Sequence, residues 1–167
     1  LKKILKKVLN ENSEIIKSLG QNYKYSFKKK QIKKFKKNVN FRVIGMGGSS
    51  LGAKAIYNFL KHKIKKNFEF FDNLNPICNK KKNKNFTNLI ISKSGNTIET
   101  VVNANVLIKK SERSIFITEN KNNYLYLLAE KLKADIIHHN NFIGGRFSIL
   151  SEVGMVPAEL MGLNSNN

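Results

Sequence analysis

Three short stretches of this chain hold residues whose types and spacing suit the binding of a phosphate ester. The densest is Ser92-Lys93-Ser94-Gly95-Asn96-Thr97, which follows the apolar run Leu89-Ile90-Ile91 and precedes Ile98-Glu99-Thr100. It reads as a buried strand, a tight turn carrying three hydroxyls, and a helix start. The first turn of a helix presents unpaired N–H groups and the positive end of the macrodipole, and both favour a dianion. A single turn of this kind is also explained by Ser and Thr acting as caps. The second stretch, Gly45-Met46-Gly47-Gly48-Ser49-Ser50-Leu51-Gly52, repeats the plan between Phe41-Arg42-Val43-Ile44 and a helical pattern of Ala53, Ala55, Ile56, Phe59 and Leu60. Its glycines let the backbone approach a ligand, while Ser49 and Ser50 can cap the helix or hold an anion. In the third, Gly144-Gly145-Arg146-Phe147-Ser148, two glycines precede an arginine whose permanent charge suits a developing oxyanion. Standing alone, that arginine would be read as a cap or a salt bridge of its own turn.

The elements that must position these turns are legible as a repeating pattern. Five short apolar strands are expected at Phe41–Ile44, Phe68–Phe71, Leu89–Ile91, Ser114–Thr118 and Asp135–His138, most of them followed by a helical period. This pattern predicts an α/β fold, a doubly wound five-stranded parallel sheet of order 2-1-3-4-5 with helices on both faces. In such a sheet ligands sit beyond the carboxyl ends of the strands, near the switch in strand order. The first two hydroxyl-rich turns follow the first and third strands, which that order makes neighbours, so both can face one site. Ser148 is expected to cap a helix with Leu150, Val153 and Leu160 on its apolar side. Ahead of the sheet, Leu1, Ile4, Leu5, Val8, Ile15 and Leu19 predict one amphipathic helix ending at Gly20, and the Lys-rich residues 21–40 read as a connector. The division expected is a basic helical arm over residues 1–40 and a ligand-binding domain over 41–167.

Composition narrows the classes. The chain has 167 residues, 41% of them hydrophobic, enough for one domain with a sizeable core. No apolar run approaches the ~20 residues of a membrane span, no signal-peptide pattern opens the chain, and a single cysteine, Cys78, excludes an internal disulfide. The expectation is a soluble protein of the cytoplasm, with no membrane partner and with no metal or cofactor. A nicotinamide cofactor is the weaker alternative, because serine stands where the third glycine of the dinucleotide fingerprint belongs. The net charge of +20 is concentrated toward the N-terminus and can serve nucleic-acid phosphates. Lys and Asn are abundant throughout, however, so a solvated basic face accounts for the excess without a specific nucleic-acid partner. Adjacent His138 and His139 point to opposite sides of a strand end and are read as structural, as are Glu99, Glu152 and Glu159.

Taken together and in this order, the three stretches resemble the glucose-6-phosphate isomerase (phosphoglucose isomerase) family, in its N-terminal sugar-isomerase (SIS) domain. The third, continuing through Val153-Gly154-Met155-Val156-Pro157, is the more specific, and the resemblance covers residues 41–163. It implies an enzyme, an aldose–ketose isomerase of glycolysis and gluconeogenesis acting on a hexose 6-phosphate. It further implies that Ser49, Ser92, Ser94 and Thr97, with the main chain of Lys93, Gly95 and Asn96, hold the phosphate. Gly48 then lies against the sugar, Arg146 stabilises the enediolate, and the complete enzyme is a homodimer. The family's proton-transferring glutamate and its ring-opening histidine and lysine have no matching motif here, so the chain reads as a partial, sugar-phosphate-binding portion. It departs from the family pattern in a short segment before the first strand and in Asn96, where a second threonine is common. A non-enzymatic sugar-phosphate sensor would use the first two turns without needing Arg146.

Overall fold

The computed structural model describes residues 2–11, 13–20, 23–74 and 85–163. Cys78 lies outside the described residues. Five strands, β1 (Asn40–Ile44), β2 (Asn67–Phe71), β3 (Thr87–Ile91), β4 (Arg113–Thr118) and β5 (Asp135–His138), form one sheet of order β2-β1-β3-β4-β5. Every pairing is parallel, with Val43 opposite Leu89 and Ile90 opposite Phe116. This is the expected fold and strand order. All five residues of β3 are buried, as a strand covered on both faces requires.

The helices divide between the two faces as the right-handed crossover rule demands. On one face α5 (Ile98–Leu107) and α6 (Tyr124–Lys131) close a core of Ile44, Ile90, Ala104, Phe116, Leu125 and Ala129. On the other, α4 (Gly48–Phe59) and α7 (Glu152–Met161) cover a core that includes Phe41, Leu89, Ile117, Val156 and Leu160. Helix α7 begins three residues later than Ser148 predicts. Its cap is Ser151, whose hydroxyl accepts from the Val153 N–H, and residues 145–150 form a separate 3₁₀ turn.

The N-terminal region differs from expectation. In place of one helix there are two, α1 (Lys2–Leu9) and α2 (Glu14–Ser18), because the short polar side chains Asn10 and Ser13 favour turns and caps over helix interior. Residues 23–38, read as a connector, pack as a strap that contains helix α3 (Lys29–Lys33), with Phe27, Ile32 and Phe35 inside the second core. Full burial of such side chains contributes about 1.5–3 kcal/mol each, enough to hold the strap on the sheet. Polar ties fix its path: the Tyr23 hydroxyl and the Ser26 N–H donate to the Glu152 carboxylate, and Lys36 pairs with Glu159 at 2.6 Å. None of the described helices is long and apolar enough to cross a membrane.

Candidate functional site

The first turn in chain order, the glycine-rich one at residues 45–52, is built by close approach. Helix α4 starts at Gly48, directly after Gly47 at φ +53°, and lies against the turn that carries Arg146. A methyl group on Gly48 would stand 2.2 Å from the Gly145 carbonyl oxygen, so only a residue without a side chain lets the two loops touch. One helical turn later Gly52 packs closely under the Ile149 side chain, which a methyl group there would meet at 3.0 Å. The Ser148 hydroxyl completes the join by hydrogen bonding to the carbonyls of Gly48 (3.2 Å) and Gly145 (2.7 Å). Within the first turn Ser50 is buried and bonds back to the Gly47 carbonyl, whereas the Ser49 hydroxyl has no hydrogen-bond partner among the described residues.

The second in chain order, at residues 92–97, gathers its hydroxyls around one atom. Thr97 Oγ1 lies 2.9 Å from Ser92 Oγ and 3.5 Å from Ser94 Oγ at the entrance to α5. The Gly95 and Asn96 N–H groups donate to Ser92 and Ser94. Gly95 takes φ +68°, and a side chain there would strike the Asn123 amide, which caps α6 by accepting from the Tyr126 N–H. Asn96, the departure from the family pattern, accepts from the Tyr124 N–H at 3.0 Å and fastens the turn to α6. Lys93 reaches the other way: its ammonium donates to the Asn141 carbonyl at 2.6 Å and lies 3.7 Å from Glu119.

Arg146, in the third turn, is exposed, and its guanidinium makes no hydrogen bond or ion pair with any described residue. It neither caps nor salt-bridges its own turn, which removes the simplest structural account of it. The carboxylates of the helix that follows are committed elsewhere, Glu152 to Tyr23 and Ser26 and Glu159 to Lys36. Burial, and secondarily the Glu152 charge, pushes the Tyr23 phenol well above its ordinary range. A groove of about 480 Å³ lined by Lys34, Lys110, Arg113 and Asp135 lies at the opposite end of the sheet, where β4 and β5 begin.

The adjacent histidines part company as expected, His138 exposed and His139 buried. Burial holds the His139 imidazole below its ordinary pKa, against the opposing pull of Glu152. A base so depressed stays neutral in the folded chain and takes up its proton on unfolding. Its contribution to stability is therefore complete above about pH 6.5 and is lost as pH falls through that value toward the folded pKa. Urea midpoints measured at about pH 7.5 and about pH 5.5 should show this loss, and His139→Gln should reduce the difference.

Sequence reasoning missed Asn123, the Lys93 side chain and the strap residues Tyr23 and Ser26. Asn123 was within reach, since an Asn ahead of an apolar helical pattern is a cap signal. The partners of Tyr23 and Lys93 lie far along the chain, and nothing local announces them.

The sheet order, together with turns at neighbouring strand ends, defines a doubly wound α/β domain whose ligand site lies beyond the carboxyl ends of its strands. Solved structures share this fold. One is a hypothetical protein of Thermus thermophilus (24% identity, TM-score 0.68, 82% of this chain and 37% of that one). Another is the tagatose-6-phosphate ketose/aldose isomerase of Escherichia coli (18% identity, TM-score 0.58, 81% and 42%). More particularly, residues 5–166 match the phosphoglucose isomerase family, and the chain belongs to it. The match takes in most of the N-terminal arm, which the motifs alone had left outside. A similar protein is the glucose-6-phosphate isomerase of Acholeplasma laidlawii, 36% identical over 159 residues, covering 80% of this chain. The chain spans between about a quarter and about a third of the length of the curated relatives it matches, 36% of this one.

Proposed function

We propose that this chain is the sugar-phosphate-binding part of a glucose-6-phosphate isomerase, which interconverts glucose 6-phosphate and fructose 6-phosphate through an enediolate. The observation that carries the reading is the contact between Gly48 and Gly145, because it sets an unpaired arginine beside a phosphate-type turn. In this reading Ser49, Ser92, Ser94 and Thr97, with the N–H groups of residues 93–96, take the 6-phosphate. The hydroxyls donate to the anion, and the start of α5 adds the favourable end of its dipole. Gly48, whose missing side chain admits the Gly145 loop, lies with its main chain against the sugar, and Arg146 donates to the oxygens at C1 and C2 as negative charge develops there.

Moving the proton between C1 and C2 needs a carboxylate within hydrogen-bond reach of both carbons. Glu152 and Glu159 are buried and occupied, so neither fills that role. Glu99 belongs to the first turn of α5, and none of the three glutamates matches the family's proton-transferring motif, so in this reading the chain by itself is a binder without turnover. A homodimeric complete enzyme in the cytoplasm accompanies the proposal.

The test is calorimetric titration of the 167-residue chain with 5-phosphoarabinonate, a phosphorylated mimic of the enediolate, and with inorganic phosphate, beside a coupled isomerase assay. Arg146→Ala should weaken the mimic by about tenfold or more, the size of a lost charge-assisted hydrogen bond, and leave phosphate unchanged. Equal affinity of variant and wild type for the mimic would remove Arg146 from the site and favour a sensor. Full turnover by this chain would overturn the assignment of Glu152 and Glu159.

A further inference from the structure

The geometry points to the Lys93 side chain as a positioning residue that holds the Arg146 loop in register with the phosphate turn; this rests on the reading just given. Lys93 follows β3 and Asn141 follows β5, strands separated by β4 and so about 10 Å apart at their ends. The lysine chain crosses that gap. Its ammonium donates to the Asn141 carbonyl at 2.6 Å, and Glu119, at the end of the intervening β4, stands 3.7 Å away as a counter-charge. Glu119 is shared with Lys121 at 3.1 Å.

The root of the lysine is fixed as firmly as its tip. The Lys93 carbonyl accepts from the Glu119 N–H (3.1 Å) and the Thr118 hydroxyl (3.3 Å), so the main chain cannot follow the side chain if the far loop moves. The loop that leads to Arg146 is thus held at three places: Asn141 by Lys93, Ile143 by complete burial, and Gly145 by Gly48. Of these, the Lys93 bond is the one that joins it to the hydroxyl-rich turn. One residue therefore serves both halves of the ligand site, its N–H lying in the phosphate turn and its ammonium anchoring the arginine loop. A direct phosphate-binding role would instead require the ammonium to leave Asn141 and Glu119.

The two roles separate in titrations of the same 167-residue chain. Lys93→Met keeps the length of the side chain and removes the donor, whereas Lys93→Arg keeps a donor. For a positioning residue, Lys93→Met weakens 5-phosphoarabinonate by about tenfold, changes inorganic phosphate by less than about twofold, and Lys93→Arg restores most of the loss. Amide hydrogen exchange without ligand supplies the second readout: residues 141–146 exchange faster in Lys93→Met while β3 and β4 keep their protection. Equal weakening of both ligands would make Lys93 a direct phosphate ligand and overturn the inference. So would unchanged exchange over 141–146. If Arg146→Ala leaves the mimic unaffected, the proposed function fails, and the exchange result still decides whether Lys93 orders the loop.

Discussion

Gly48→Ala is expected to abolish measurable binding of 5-phosphoarabinonate and to cost about 1–3 kcal/mol of stability, the usual range for overpacking. Alanine is the better helix former by about 1 kcal/mol, so propensity alone would predict a gain. The contact decides the sign. The new methyl would sit 2.2 Å from the Gly145 oxygen and 2.4 Å from its carbon, both backbone atoms that no rotamer change can remove. The turn carrying Arg146 must back away from α4, and with it goes the placement on which the proposed chemistry depends. Gly47→Ala is the informative control: it sits at φ +53° with nothing within 4 Å, so it meets backbone strain without collision. That variant should lose about 1–3 kcal/mol, the cost of holding a side-chain-bearing residue in a glycine-only backbone region, yet still bind the mimic when folded. Urea melts and titrations of the two variants check the pair, and a Gly48→Ala protein with wild-type affinity would contradict the role given to the glycine contact.

The second large effect lies at the other end of the sheet. Arg42, on β1, donates from one terminal nitrogen to Asn88 (3.0 Å), to the Leu107 carbonyl (2.9 Å) and to Glu112 (3.3 Å), and its guanidinium lies 4.2 Å from the centre of the Phe86 ring. The Glu112 side chain is 1% exposed. Among the described residues, Arg42→Met would leave that carboxylate with the Asn88 amide and a long contact from the Lys109 N–H. An uncompensated buried charge costs about 3–5 kcal/mol, a large fraction of the roughly 5–15 kcal/mol typical of a whole domain. Removing the charge as well, in Arg42→Met with Glu112→Leu, should recover most of the loss, since a buried pair is weakly stabilising against an apolar replacement. Denaturant midpoints of the single and double variants measure both numbers. A single-variant loss below about 1 kcal/mol would mean that water or another group satisfies Glu112.

The two effects sit at the two levels at which the sequence was informative. Alternation of short apolar runs with helical periods was enough for the sheet order, because a parallel sheet has few admissible connections. The hydroxyl-rich turns were visible because helix starts have a local chemistry. The strap was not: Tyr23, Tyr25, Phe27, Ile32 and Phe35 mix strand and helix spacings because they line an irregular segment around the single short helix α3. What orders them is contact with residues more than a hundred positions away, such as Tyr23 with Glu152. The same limit hid the Lys93 bond. Local pattern reveals which residues start a helix, but it says nothing about which distant carbonyl an ammonium will find. Ser148 shows a further case, since it looked like a cap until the structure showed it spent on joining two loops.

The pairing of the strap with α7 also bears on how the chain is made. Phe27, Ile32 and Phe35 leave the ribosome early, yet Val153, Val156, Leu160 and Met161 share their core. At roughly 5–20 residues per second, translation would leave those three apolar side chains waiting about ten seconds for their partners. The half of the molecule built on α5 and α6 waits less, since its core draws on residues 44–136 and is complete before α7 is made. The nascent chain is thus expected to settle the α5/α6 face first and to close the α4/α7 face, with the arginine turn between them, only once α7 has emerged.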